Sequence, residues 1–594
     1  MKSTSITGKK WVYKEFNNED IIFYKENFYL DEITSKLLSI RKIDKEDINL
    51  FLNPSIKESL PNPSILKDMN KGTEHVVELI KKGKTFGIFG DYDVDGASST
   101  ALLGNYFRSI NHPFKIYIPD RKKEGYGPSK KSFDSLINKK IDLIFTVDCG
   151  TLSFEPIEYA KSKNVDVIVL DHHQSEINLP KAHSVINPNR LDDTSKLNYL
   201  CAAGVCFMFL VSINRKLREI NWFKTNKIEE PDLINFLDLV TLGTICDVVP
   251  LTGLNRAFVT QGLKVLKLKK NPGIKMLMDL CRIETKPTTY HLGYVLGPRI
   301  NAGGRVGKCS HGANLLLETN ASEIFKIASE LEQFNNERKI LEKELLNEAL
   351  NSVKDKINDP VLIIDGTNWH EGVIGIIASR IKDKYNKPTV IISKTGDTGK
   401  ASARSIVGFD IGMNILSAVQ EKILLKGGGH KMAGGFTIKM RNLSKFKDFI
   451  FKRIKRFNEK NISEKQILLD AELSPSTINL DFFDKINYLS PFGSGNPEPK
   501  FSIENIKKIN SKVVGDKHIK SILLGKDGSK IEAVAFNAVD NTLGQYLLNN
   551  SNNLFSIAGK LSLNEWKGKK NVEFIIDDIS VNKNEKKMVP SSIG

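Results

Sequence analysis

Four short apolar runs constrain this chain more than any other feature: KTFGIFG (84–90), FKIYIP (114–119), IDLIFTV (141–147) and VDVIVL (165–170). They are rich in Val, Ile and Phe, and helical patterns separate them. ASSTALLGNYFRSI (97–110), for example, sets Ala97, Ala101, Tyr106 and Phe107 at helical spacing. Near-continuous apolar strands alternating with helices predict an α/β domain whose parallel sheet is buried on both faces.

Three of these strands lead directly into acidic motifs. KTFGIFG runs into Asp91, Asp93 and Asp95; IDLIFTV into Asp148 of VDCG; VDVIVL into Asp171, His172 and His173. In an open parallel sheet the functional crevice lies beyond the carboxyl ends of the strands, so groups distant in sequence converge there. A fourth acid, Asp247 in GTICDVVPL (243–251), follows the apolar helix LINFLDLVTL and can close the site. One Asp after a strand is usually a turn residue or a helix cap, and one HH pair is usually surface. Four such sites, three at equivalent strand ends, indicate a metal centre. Carboxylates with imidazole around an open crevice suit Mn²⁺ or Mg²⁺. A two-metal centre needs a bridging carboxylate, for which Asp148 is the candidate, and cations would offset the repulsion within FGDYDVDG.

Other motifs fail. GKT at Gly83 lacks the upstream glycine of a P-loop and precedes its strand, and HEGVIG at His370 has no second histidine for a zinc protease. The six cysteines form no CxxC pair, so they read as reduced thiols of a cytosolic protein. No apolar run approaches the roughly 20 residues of a membrane span, and the start has no apolar signal-peptide core. These features predict a cytoplasmic protein without a membrane partner. A net charge of +17 favours a polyanionic partner, although a Lys- and Asn-rich proteome would give the same excess.

The 594 residues exceed a single core, and texture divides them. A helical lead-in (1–83) precedes the parallel-sheet domain (84–250). A helical connector follows (251–359); its stretch 321–359 has neither Gly nor Pro and carries Ile324, Ala328, Leu331, Phe334, Leu341 and Leu345 on one stripe, predicting a long bridging helix. A second α/β domain (360–462) and short alternating strands with Gly and Asn turns (463–583), predicting a small β-barrel, precede a tail (584–594). Lys517, Lys520, Lys567 and Lys569 in the barrel suggest a surface for single strands.

The order DYDVDG, VDCG, DHH, GTICDVVPL resembles the DHH phosphoesterase superfamily. GPRINAGGR (297–305), HEGVIGIIASRI (370–381), SARS (402–405), GGGHKMAGG (427–435) and PFGSGNPEP (491–499) extend the resemblance to its RecJ family of 5′-end single-stranded-DNA exonucleases, over nearly the whole chain. The departures, Cys246 beside Asp247 and a glycine-rich KGGGHKMAGG, remove no charged group. The resemblance implies a DHH domain, a long helix, a DHH-associated domain and an OB-fold. It implies two Mn²⁺ or Mg²⁺ ions on Asp93, Asp95, Asp148, His172 and Asp247, with Asp91 an additional ligand and His173 either a ligand or an orienting group. Arg299, Arg305 and Arg404 suit phosphate holding, with Asn301, Ser402 and His430 beside them; the alternative for these arginines is inter-lobe salt bridges. Arg121 and Tyr126 of PDRKKEGYGP would hold or stack on the entering strand. The implied partners are single-stranded DNA, a single-stranded-DNA-binding protein and a helicase. Small-substrate DHH phosphoesterases (nanoRNases, 3′-phosphoadenosine phosphatases, cyclic-dinucleotide phosphodiesterases) are the alternative, but lack the terminal barrel and PFGSGNPEP. A catalytically dead scaffold would tolerate loss of ligands, and none is lost here.

Overall fold

A computed structural model describes residues 4–121, 123–458, 465–549, 553–566 and 568–581. The chain divides into two compact units. One combines Ser55–Pro250 with Leu254–Ile462; the other combines Met1–Pro54, Leu251–Gly253 and Ser463–Gly594.

The larger unit begins with the sheet expected from sequence. Its strands are β1 (Phe86–Gly90), β2 (Phe114–Tyr117), β3 (Leu143–Val147), β4 (Asp166–Leu170) and β5 (Ser184–Ile186), all parallel, in the order β2-β1-β3-β4-β5. Alternation along the strands fills two cores. Phe86, Ile88, Phe145, Val147, Ile168 and Leu170 enter one, while Phe89, Ile144, Val167 and Val169 enter the other. Burial on both faces explains why these strands read as unbroken apolar runs. Strand order reverses between β1 and β3, which opens the crevice beyond their carboxyl ends.

Three helices bear on that crevice: α1 (Val94–Ser109), α2 (Ala202–Glu219) and α3 (Leu237–Cys246). Helix α4 (Gly297–Val306) carries GPRINAGGR, and α5 (Ala321–Lys354) is the 34-residue helix expected from its apolar stripe, capped by Asn320. At about 1.5 Å per residue it is about 50 Å long. A second sheet follows, with β6 (Leu362–Thr367), β7 (Thr389–Thr395), β8 (Thr398–Arg404), β9 (Lys426–His430) and β10 (Ala433–Lys439) in the order β9-β10-β8-β7-β6. Only the β6–β7 pair in it is parallel.

In the smaller unit, the strands Phe501–Val514, His518–Leu524, Lys530–Ala535, Phe555–Trp566 and Lys569–Val581 each pair with two others in a circuit that returns on itself. Three of them run 12 to 14 residues, longer than the short strands read from sequence. Register shifts at Lys508/Asn510, Ile503/Ile506 and Ala558/Gly559 bend them, so that one strand serves different neighbours along its length. The lead-in drawn from sequence as residues 1–83 is shared out: Tyr24, Leu37, Leu38, Ile48 and Phe51 pack in one core with Ile486, Phe501, Ile519 and Phe574. Residues from Ser55 onward belong to the larger unit. Lys567 and the tail 584–594 lie outside the described residues. Lys520, expected on a nucleic-acid surface, is bonded to Glu532 and Glu573 at 2.7 and 2.8 Å.

Candidate metal centre and anion cleft

The crevice is built from strand ends. Asp91 directly follows β1. Asp93 caps α1, its carboxylate accepting from Gly96 N at 3.0 Å. Gly96 is required there, because a Cβ would lie 2.5 Å from the Asp91 carbonyl oxygen. Asp95, buried in the first turn of α1, accepts from Ala202 N (2.7 Å) and Ala203 N (3.0 Å) at the start of α2. Asp148 follows β3 with φ +60°, a left-handed conformation that Asp tolerates better than most residues. Asp247 closes α3.

His172 Nε2 is the meeting point, 3.3 Å from Asp148 Oδ1, 3.7 Å from Asp247 Oδ2 and 3.9 Å from Asp95 Oδ2. Donor atoms lie within 4.8 Å of one another in the sets Asp91–Asp93–Asp148, Asp95–His172–Asp247 and Asp148–His172–His173. Two neighbouring cages thus share Asp148. Another such set, His75–Asp166–His183, sits at the opposite ends of the strands.

The electrostatics fit divalent cations. Burial, then the charge of Asp93, pushes the Asp91 carboxyl well above its usual range. Burial and the neighbouring Asp93, Asp95, Asp91 and Asp247 do the same to Asp148. Asp247 is pushed up to about 8 by burial and then by Asp95 and Asp93. Asp91 Oδ1 and Asp148 Oδ1 are buried without a hydrogen bond, a costly arrangement unless something positive occupies the space between them. All-oxygen donors with one imidazole suit Mn²⁺ or Mg²⁺.

His173 differs from His172. Its Nδ1 bonds Asp171 Oδ1 at 2.8 Å, which overcomes burial and raises the imidazole to about 9. Burial works against the Asp171 charge, but the His173 hydrogen bond and its cation hold that carboxyl well below the usual range. Asp171 also receives Thr151 N, His172 N and His173 N, so it fixes the HH pair. Asn187 and Asn189 of INPNR bond the carbonyl oxygens of His173 and His172. These three positioning residues were not assigned from sequence; only the place of Asp171 before HH signalled one of them. Tyr126 donates to Asp148 O at 3.1 Å and meets His173 edge to face.

Beside the crevice lies a cleft of about 570 Å³ whose lining includes Arg121, Arg305, Gly372, Gly375, Lys400, Ser402 and Arg404. Arg121 lies over the Tyr92 ring, between Asp91 and Asp93 in sequence. Arg404 Nη1 bonds Ser402 Oγ (3.2 Å) and Ala403 O (2.8 Å) on β8. Arg305 donates to Gly372 O, and burial, then the charges of Arg121, Arg338 and Arg404, pushes it down to about 10. Glu371, the acid of this lining, is taken up by Lys400 at 2.8 Å, so guanidinium groups that have no ion pair among the described residues converge here on an anion site. Arg299, expected in this group, instead pairs with Glu332 of α5 and bonds Val295 O. Asn301 sits half-buried on α4 and His430 is exposed at the end of β9; neither is in the cleft lining.

A flavodoxin-like parallel sheet with an Asp–His cluster at its switch point, joined by a long helix to a second sheet that carries Arg404, defines a DHH-type phosphoesterase. Residues 85–244 match the DHH family N-terminal domain, 358–456 the DHHA1 domain and 469–578 the RecJ OB domain. The chain is 33% identical over 540 residues to the single-stranded-DNA-specific exonuclease RecJ of Escherichia coli K12, covering 89% of this chain and 92% of that one. The Bacillus subtilis 168 exonuclease RecJ is 28% identical over 583 residues (96% and 71%). RecJ of Thermus thermophilus, solved in complex with Mn²⁺, superposes with a TM-score of 0.79 at 25% identity, covering 97% of this chain and 80% of that one. The chain belongs to the RecJ family.

Proposed function

We propose that this protein hydrolyses single-stranded DNA from the 5′ end to mononucleotides, with two Mn²⁺ or Mg²⁺ ions, in DNA repair and recombination. The observation that carries the reading is the pair of donor cages sharing Asp148, set beside an arginine cleft. Asp91, Asp93 and Asp148 would hold one cation, and His172, which reaches Asp148 at 3.3 Å, would hold the other together with Asp95 and Asp247. When bound, the ions supply a water of lowered pKa and neutralise charge developing on the phosphate. Asp171 fixes the His173 ring through Nδ1 at 2.8 Å, which sets that imidazole beside Asp148 where it can hydrogen-bond the phosphate or the leaving oxygen. Asn187 and Asn189 keep both imidazoles in place. Arg121, Arg305, Ser402 and Arg404 grip the terminal phosphate, and Tyr126 holds the strand beside Asp148.

The preference for single strands calls for a helicase to supply them and a single-stranded-DNA-binding protein to keep them open; we assign both as partners and place the enzyme in the cytoplasm. The test is Mn²⁺-dependent release of mononucleotides from 5′-phosphorylated single strands of about 40 nucleotides, alongside the same strand in a duplex and a dinucleotide. Stepwise loss from the 5′ end of the single strand alone is expected. Turnover of the dinucleotide only would instead assign the chain to the small-substrate DHH phosphoesterases.

A further inference from the structure

Tyr290 and Tyr294 are among the more exposed large side chains of the described chain, at 62% and 75%. They nevertheless stack on each other, with centroids 5.3 Å apart and ring planes 26° apart. Nothing in their own fold requires this, since neither ring contributes to a core. The π-helical turn His291–Leu296, which carries Tyr294 and begins directly after Tyr290, is, by contrast, firmly seated. Leu292 and Leu296 are buried beneath it, and Cys246 Sγ bonds Leu292 O at 3.5 Å. Gly297 approaches Cys246 so closely that a Cβ would lie 2.5 Å from its sulfur. Cys246 is the residue before Asp247. The turn is therefore keyed to the residue next to a carboxylate of the metal centre, and it displays two aromatic faces to solvent. Wide π-helical turns are rare and concentrate at functional sites.

We infer that Tyr290 and Tyr294 form a stacking platform for the bases of the polynucleotide substrate as it leaves the metal centre on the α3 side. The inference rests on the single-strand reading above. A base has a π-face whatever its identity, so an aromatic pair holds a strand without reading its sequence. The occupant is fixed by continuity: a strand whose phosphate lies among Asp247 and its neighbours has its next bases within reach of the turn packed on Cys246. Exposed Lys286, in the loop before the turn, adds a positive charge for the backbone. The platform stands apart from the arginine cleft, whose lining contains neither tyrosine.

The test is affinity for an oligothymidine of about 20 nucleotides with the metal chelated, read by fluorescence anisotropy on the full-length protein. Tyr290→Ala/Tyr294→Ala should weaken binding on the order of tenfold or more. Tyr290→Phe/Tyr294→Phe should stay within about twofold of wild type, because stacking needs the ring and not the hydroxyl. A strand with abasic sites in place of its bases should bind the Ala pair and the wild type alike. Equal binding of the base-bearing strand by wild type and the Ala pair overturns the platform alone, as does a Phe pair as weak as the Ala pair. A wild type that binds no single strand overturns the parent reading as well.

Discussion

His172 Nε2 stands 3.3 Å from Asp148 Oδ1, joining the ends of two strands that are adjacent in the sheet and 24 positions apart in the chain. Replacing Asp148 therefore tests the shared position between the cages. Asp148→Asn keeps a residue that tolerates the left-handed backbone and removes only the charge. Hydrolysis should fall by about a thousandfold or more, equivalent to several kcal/mol of lost charge stabilisation. Thermal stability in chelator should hold or rise, since a buried carboxyl pressed by Asp93, Asp95 and Asp91 is relieved. Added Mn²⁺ should raise the Tm of wild type more than that of the variant; an equal metal-induced shift would remove Asp148 from the ligand set.

Gly96→Ala tests the backbone that shapes the crevice. The new Cβ would meet Asp91 O, C and Cα at 2.5 to 2.8 Å, all main-chain atoms of the acidic loop. That loop or the start of α1 must shift, at a cost of about 1–3 kcal/mol. The variant should melt several degrees lower and lose Mn²⁺ affinity together. Calorimetry with and without metal separates this outcome from a loss of stability alone.

The sheet was legible because strands buried on both faces are continuous apolar runs, and the metal cluster because those runs end in acids. What escaped was set by partners remote in sequence. Arg299 sits in a family-like GPRINAGGR, but its guanidinium is claimed by Glu332, one turn of α5 whose stripe says nothing of its polar face. Residues 1–83 read as a helical lead-in of its own, while the apolar faces of its first 54 residues are completed by residues more than 400 positions later. Tyr290 and Tyr294 alternate with the large apolar Leu292 and Leu296, so spacing alone does not say which pair faces solvent.

That completion changes how the barrel can be removed. Cutting after residue 462 strips Ile486, Phe501, Ile519 and Phe574 from Tyr24, Leu37, Leu38 and Phe51 and leaves a large apolar face on residues 1–54. A 1–462 protein should aggregate. A 55–462 protein removes both halves of that core; it should stay monodisperse, cut short oligonucleotides and bind long ones more weakly. Size-exclusion chromatography followed by binding of strands of about 10 and 60 nucleotides decides the matter, and equal affinity for the long strand would deny the barrel a role in holding DNA.

His112 supplies a pH dependence remote from the metals. It is 7% exposed, its Nε2 is buried without a hydrogen bond, and its ring lies 4.2 Å from that of Phe86. Burial pushes the imidazole down to about 4, against about 6.5 in the unfolded chain. Between those values the unfolded state binds the proton and the folded state does not, so stability is lost as pH falls from about 6.5 to about 4. The full effect is about 3 kcal/mol. Carboxylates also titrate there, so the measurement is the difference between wild type and His112→Phe in urea melts across the window. That difference should shrink with acid in favour of the variant; parallel curves would mean His112 charges freely in the fold.

Arg404 and Ser402 set the end preference. Both lie on β8, two positions apart and so on one face of the strand, with Arg404 Nη1 3.2 Å from Ser402 Oγ and the rest of the guanidinium toward the cleft shared with Arg305 and Arg121. Burial lowers the Arg404 pKa, yet arginine stays charged at neutral pH, so an anion in the cleft gains a desolvated cation. A terminal phosphate carries more charge than an internal diester and exposes more oxygens to a guanidinium fork. Wild type should therefore prefer 5′-phosphorylated over 5′-hydroxyl single strands. Arg404→Ala should lose most of that preference, on the order of 10- to 100-fold or about 1.5–3 kcal/mol for charge-assisted contacts. Arg404→Lys should recover only part of it, because a point charge lacks the fork. The comparison is kcat/KM for the two strand ends in each protein, and an unchanged ratio in Arg404→Ala would move the end-binding role to Arg305 and Arg121.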